Sequence, residues 1–123
     1  MLKLKNLTFS YRHSDSPTLR NVNLEVECGK FVLVEGATGS GKSTLLKAIN
    51  GLVPHFTGGR LSGSVEINGT DVTARQPYEI AELVAYVNQQ PESAFATDTV
   101  EAELAFSLEP LGWSQAEMRA RIN

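Results

Sequence analysis

The residues best equipped for chemistry are Gly36-Ala37-Thr38-Gly39-Ser40-Gly41-Lys42-Ser43-Thr44. Glycines let a backbone curl and approach a ligand closely, because they carry no Cβ and tolerate positive φ. A curled loop turns several N–H groups inward, and a helix N-terminus beyond it adds partial positive charge. Lys42 adds a cation able to reach the outer phosphates of a bound group. Ser43 adds a hydroxyl suited to a Mg²⁺ ion. Phe31-Val32-Leu33-Val34 precedes the loop and reads as a strand, and Thr44 to Ile49 follows it and reads as a helix. G-x-x-x-x-G-K-S between strand and helix is the setting that makes the motif a P-loop. A Gly-rich turn that binds nothing fits this context poorly, so the reading is a nucleoside triphosphate site.

The elements that must position the loop follow from periodicity. Leu2, Leu4, Leu7, Phe9 and Tyr11 alternate imperfectly, a strand. Arg12 to Pro17 is a polar loop. Val22-Asn23-Leu24-Glu25-Val26 alternates again, and Cys28-Gly29-Lys30 turns the chain into the loop-bearing segment. Alternation implies one solvated face, whereas the unbroken Phe31–Val34 predicts a strand buried on both faces of a parallel sheet. The helix after the loop should end near Gly51. Val53 to Gly63 reads as a loop, Ser64 to Ile67 as a strand, and Asn68-Gly69 as a tight turn. Pro77 opens a short helix carrying Ile80, Ala81 and Leu83. Leu83 to Val87 is a second doubly buried strand, and Asn88 to Ala96 a loop. Asp98-Thr99-Val100-Glu101 and Ser114-Gln115-Ala116-Glu117 match capping boxes opening two helices.

Composition narrows the class. The chain has 123 residues, the length of one small domain, with 41% hydrophobic and 20% charged residues. A net charge of −3 argues against a mainly electrostatic nucleic-acid binder. One cysteine, Cys28, allows neither a disulfide framework nor a multi-thiol metal site. The lone His55 reads as a solvated loop histidine, remote in sequence from His13. No apolar run reaches membrane-spanning length, and the alternating start is not a signal-peptide core.

Two further stretches carry a family resemblance. Phe9-Ser10-Tyr11 places an aromatic ahead of the P-loop, and Val87-Asn88-Gln89-Gln90-Pro91-Glu92 places a glutamine where an apolar strand gives way to a loop. With the P-loop, these make the chain resemble the ATP-binding subunit of an ABC transporter over essentially its whole length. The resemblance implies an α/β P-loop NTPase of ABC type, truncated to the antiparallel β subdomain and part of the parallel core sheet. It implies antiparallel strands at about 1–30 and 61–72, a P-loop core at about 31–52 and 77–97, and the start of a helical subdomain at about 98–123. The implied cofactors are ATP and Mg²⁺. Tyr11 would stack on the base, Gly36 to Thr44 would hold the phosphates, and Ser43 and Gln89 would hold Mg²⁺. The Gln89 amide would coordinate that ion or position the attacking water, with Gln90 the alternative register. Lys42 and Gln89 are thus the residues of the implied catalysis.

Asn50 to Gly59 and Asp98 to Phe106 look like the energy-coupling factor subgroup, which powers uptake of vitamins or transition-metal ions. The implied partners are a second ATP-binding domain, identical or not, and an integral membrane subunit met through the glutamine loop. Nucleic acid is not among them. The implied location is the cytoplasmic face of the membrane, peripherally bound. Neither a strand ending in Asp-Glu nor Leu-Ser-Gly-Gly-Gln occurs in the sequence, so the chain alone is expected to bind nucleotide without turnover. In the family, strands from later sequence lie between Phe31–Val34 and Leu83–Val87. The chain alone is therefore expected to be partly unfolded or self-associating. The rival readings are a nucleotide-binding fragment without turnover and another P-loop NTPase. The absence of a guanine-reading Asn-Lys-x-Asp argues against a GTPase.

Overall fold

The structure is a computed structural model describing residues 1–122. The chain divides into two compact units, Met1–Tyr86 and a second beginning at Val87.

The first unit is built on a four-stranded antiparallel sheet, in the order β2-β1-β3-β4. Its strands are β1 (Leu2–Ser10), β2 (Leu19–Val26), β3 (Arg60–Ile67) and β4 (Thr70–Asp71). The imperfect alternation of β1 has a structural cause. Its register shifts between residues 4 and 9 against β2 and between residues 5 and 8 against β3, and Asn6 there takes φ 50°. The irregularity rotates the strand, so that Leu4, Leu7 and Phe9 are all buried although 4 and 7 differ in parity. Opposite it lies Gly63, at φ +86°, where a Cβ would stand 2.5 Å from the Asn6 carbonyl oxygen. Asn68-Gly69 forms the predicted turn between β3 and β4, with φ of 50° and 79°, the two positive values a type I′ hairpin needs. Lys3–Glu25 (3.0 Å) and Lys5–Glu66 (2.6 Å) pair across the exposed face. Such pairs contribute roughly 0–1 kcal/mol each.

Against the sheet's apolar residues pack α1 (Lys42–Ile49), the short helical turn α2 (Leu52–His55), Val72 and Ile80. Leu45 and Ala48 are the core-facing positions of α1. The helix ends as its glycine predicts, with Gly51 at φ +68° just past it.

The structure departs from the sequence reading in several places. β3 begins at Arg60, inside the expected loop, and α2 occupies that loop's start. His55 is half-buried instead of solvated, and its Nε2 has no hydrogen-bond partner among the described residues. The helix expected after Pro77 is only a 3₁₀ turn, Pro77–Glu79, closed by a capping box between Gln76 and Glu79. Phe31–Val34 forms no strand and is exposed, Phe31 at 91% and Leu33 at 69%. Leu83–Val87 likewise has no ladder partner among the described residues. The physical reason is common to both apolar segments: a doubly buried strand needs a neighbour on each edge and layers on both faces.

The second unit holds α3 (Val100–Leu108) and α4 (Gln115–Ile122). The cap of α3 is Thr99, whose hydroxyl accepts from the Ala102 N–H, one residue later than the expected Asp98. Glu103, not Glu101, reaches back: its carboxylate accepts from the N–H groups of Ala96 (3.0 Å) and Thr97 (2.9 Å) and from the Thr97 hydroxyl. The Ser114–Glu117 box forms as predicted. No helix among the described residues is long and apolar enough to cross a membrane.

Candidate functional site

Residues 36–41 form a loop of turns that delivers the chain to the N-terminus of α1. Ser40 N–H donates to the Ala37 carbonyl at 3.1 Å, closing a turn, and Leu45 N–H donates to the Gly41 carbonyl at 2.8 Å as the first helical bond. Two glycines have requirements that other residues meet poorly. Gly41 takes φ +96°, and a Cβ there would stand 2.9 Å from the Thr18 carbonyl oxygen and 3.3 Å from Leu19 Cδ2. Gly36 lies so close to Ser40 that a Cβ would meet its hydroxyl at 2.7 Å.

The N-cap of α1 is Gly41, and no side chain caps the first turn. The leading N–H groups of a helix lack intrahelical acceptors. Here they are left without a side-chain acceptor, and no acidic residue stands in the first turn to compensate the positive end of the helix dipole. The Lys42 ammonium curls back into the loop. It donates to the carbonyls of Gly36 (2.7 Å) and Ala37 (2.8 Å) and approaches the Ser40 hydroxyl at 3.4 Å. Ser43 is exposed beside it, and Thr44 is buried. A fixed cation, uncapped N–H groups and an exposed hydroxyl form a donor set that fits an anion with several oxygens. The same set fits Mg²⁺ only together with that anion. The ion usually keeps water and phosphate oxygens as ligands, and Ser43 would supply one hydroxyl. No cluster of three or more His, Cys, Asp or Glu suited to a metal occurs among the described residues.

Tyr11 is joined to this loop. Its hydroxyl lies 3.1 Å from Thr44 Oγ1, across 33 residues of sequence, and its ring stands edge-on to Phe9 with centroids 4.8 Å apart. The bond to Thr44 had no sequence signal, since neither periodicity nor motif spacing links positions 11 and 44. Gln89 lies exposed in the second unit, its backbone N–H donating to Asn88 Oδ1 at 2.8 Å.

The chain is similar to known ATP-binding proteins. A family model described as "ABC transporter" matches residues 19–123. A Streptomyces coelicolor protein named "Putative ABC transporter ATP-binding protein" is 46% identical over 122 residues, covering 99% of this chain. The chain spans only 22% of that relative's length. An ATP-binding cassette solved as a dimer, in a post-hydrolysis state bound to ADP and Pi, is 28% identical with a TM-score of 0.71. That match covers 99% of this chain and 54% of the cassette. A crystal structure described as a putative cobalt transport ATP-binding protein is 31% identical with a TM-score of 0.57. It covers 94% of this chain and 41% of that one. With its α/β architecture, its antiparallel sheet and its glycine-built phosphate loop, the chain belongs to the ABC transporter family, in its ATP-binding component.

Proposed function

We propose that this chain is the nucleotide-binding part of an ATPase that couples ATP hydrolysis to substrate import. The observation that carries the reading is the glycine-built loop holding Lys42 at the uncapped N-terminus of α1. Members of the family bind ATP, usually with Mg²⁺. In this reading the phosphates of ATP lie over Gly39 to Thr44, where the N–H groups and Lys42 offset their charge. Lys42 would leave its loop carbonyls for phosphate oxygens, exchanging neutral acceptors for anionic ones, which bind it more strongly. Ser43 would hold Mg²⁺, which would shield charge on the phosphates, and the family resemblance assigns Gln89 to the same ion. The Tyr11 ring carries the base, since stacking requires a ring face.

The finer reading places the parent protein in the energy-coupling factor subgroup, importing a vitamin or a transition-metal ion. Its support is the wording of residues 50–59 and 98–106 and the likeness to the protein described as a cobalt transport ATP-binding protein. The partners in this reading are a second ATP-binding domain and a membrane subunit contacted through the loop that Gln89 opens. The location is the cytoplasmic membrane face. The dimeric state of the ADP-bound cassette supports the first of these partners. We assign 31–52 and 77–97 to the P-loop core and 98–123 to the helical subdomain.

Isothermal calorimetry with Mg-ATP on wild type and Lys42→Ala tests the proposal. Charge-assisted hydrogen bonds contribute about 1.5–3 kcal/mol, so the substitution should weaken binding roughly 10- to 150-fold. Equal affinities would remove Lys42, and the loop with it, from the site.

A further inference from the structure

The Tyr11 ring accounts for stacking, but stacking leaves its hydroxyl without a task. That hydroxyl is within hydrogen-bond distance of Thr44 Oγ1, at 3.1 Å. Both ends of the contact are fixed. Thr44 is 7% exposed and sits in the first turn of α1, two residues after Lys42. The Tyr11 ring is held by its edge-on contact with Phe9, which is fully buried.

Each hydroxyl carries one proton and can accept as well as donate. The contact can therefore run in either direction. If Thr44 donates to Tyr11, its proton is committed and it offers the phosphate loop only lone pairs. If Tyr11 donates to Thr44, the Thr44 proton is free to be given to an anion. A phosphate oxygen at the head of α1 selects the second direction. The two bonds then run the same way and polarise one another.

We propose that the Tyr11 hydroxyl is a positioning group for the phosphate site, acting through Thr44: it fixes the Thr44 side chain and turns its proton toward a phosphate oxygen. The proposal rests on reading the loop as a triphosphate site. Tyr11 on this account serves both ends of a nucleotide, its ring the base and its hydroxyl the phosphates.

Inorganic tripolyphosphate separates the two roles, because it has no base to stack. Its affinity is measured by calorimetry at constant ionic strength for wild type, Tyr11→Phe, Thr44→Val, Thr44→Ser, the pairs of Tyr11→Phe with each Thr44 variant, and Lys42→Ala. Tyr11→Phe keeps the ring and should weaken tripolyphosphate binding about 3- to 10-fold, the range of one hydrogen bond. It should have no further effect beside Thr44→Val, and should keep its effect beside Thr44→Ser, which retains the hydroxyl. Wild-type affinity in Tyr11→Phe would overturn the proposal. An equal loss with and without the Thr44 hydroxyl would do the same, since a general loss of packing adds independently of Thr44. If Lys42→Ala weakens binding while Tyr11→Phe does not, only the hydroxyl assignment falls. If wild type binds no tripolyphosphate, or Lys42→Ala binds it equally well, the loop reading falls and takes the proposal with it.

Discussion

Replacing Gly41 by alanine tests whether this loop is shaped by conformation alone or also by contact. Two costs are expected. At φ +96° a residue with a Cβ loses about 1–2 kcal/mol relative to glycine. Alanine restores about 0.4–1 kcal/mol by restricting the unfolded chain. Conformation alone therefore leaves a net loss of about 1 kcal/mol. The second cost is steric, because the new Cβ would stand 2.9 Å from the Thr18 carbonyl oxygen and 3.3 Å from buried Leu19 Cδ2. Thr18 has little room to retreat, since its N–H is bonded to the Phe9 carbonyl at 2.8 Å. Overpacking of this kind adds about 1–3 kcal/mol. Gly39 is the internal control: it takes φ +81°, but a Cβ there meets nothing within 4 Å. Urea unfolding should thus show Gly39→Ala losing about 1 kcal/mol and Gly41→Ala about 2–4 kcal/mol, without a change in m-value. Equal losses, or a milder effect at Gly41, would refute the claim that contact with Thr18 and Leu19 helps fix the loop.

The Asp71 carboxylate accepts from the Thr73 hydroxyl (2.6 Å) and from the Thr73 N–H (2.9 Å), and these bonds hold its pKa below the ordinary 3.8. A depressed carboxylate pKa contributes stability above the unfolded value and loses it as pH falls through the folded value. The stability gap between wild type and Thr73→Val should accordingly narrow below pH 3.8, and parallel pH profiles in urea unfolding would contradict this. In hydrogen exchange, amides of Val32–Val34 and Ala85–Val87 should exchange far faster than those of Leu4 and Leu7 in β1. Protection matching β1 would mean that the two apolar segments are paired after all.

The phosphate loop was legible because its requirements are local. The positive φ of Gly41 and the charge of Lys42 are local conditions, to which the contact with Thr18 and Leu19 adds, and Asn68-Gly69 is dictated by the two positive φ values of its turn. The start of β3 was not legible, because Gly58, Gly59 and Gly63 read as loop residues. In the structure Gly63 is a strand glycine, required by the close approach of the Asn6 backbone from the neighbouring strand. The cap of α3 slipped by one residue because Asp98 and Thr99 are both good caps. What chose between them was a side chain further on, Glu103, bonding to Ala96 and Thr97. Phe31–Val34 has strand-forming residues, but propensity supplies no neighbour to pair with. The link from Tyr11 to Thr44 exists only once β1 and α1 share a core.

Phosphates lying over residues 39–44 would be observed directly by amide chemical-shift mapping with ATP. The predicted result is that the largest shifts on adding ATP fall on Gly39 to Thr44, and that Lys42→Ala suppresses them. Shifts concentrated elsewhere in the chain, with those six amides unmoved at saturating ATP, would contradict it.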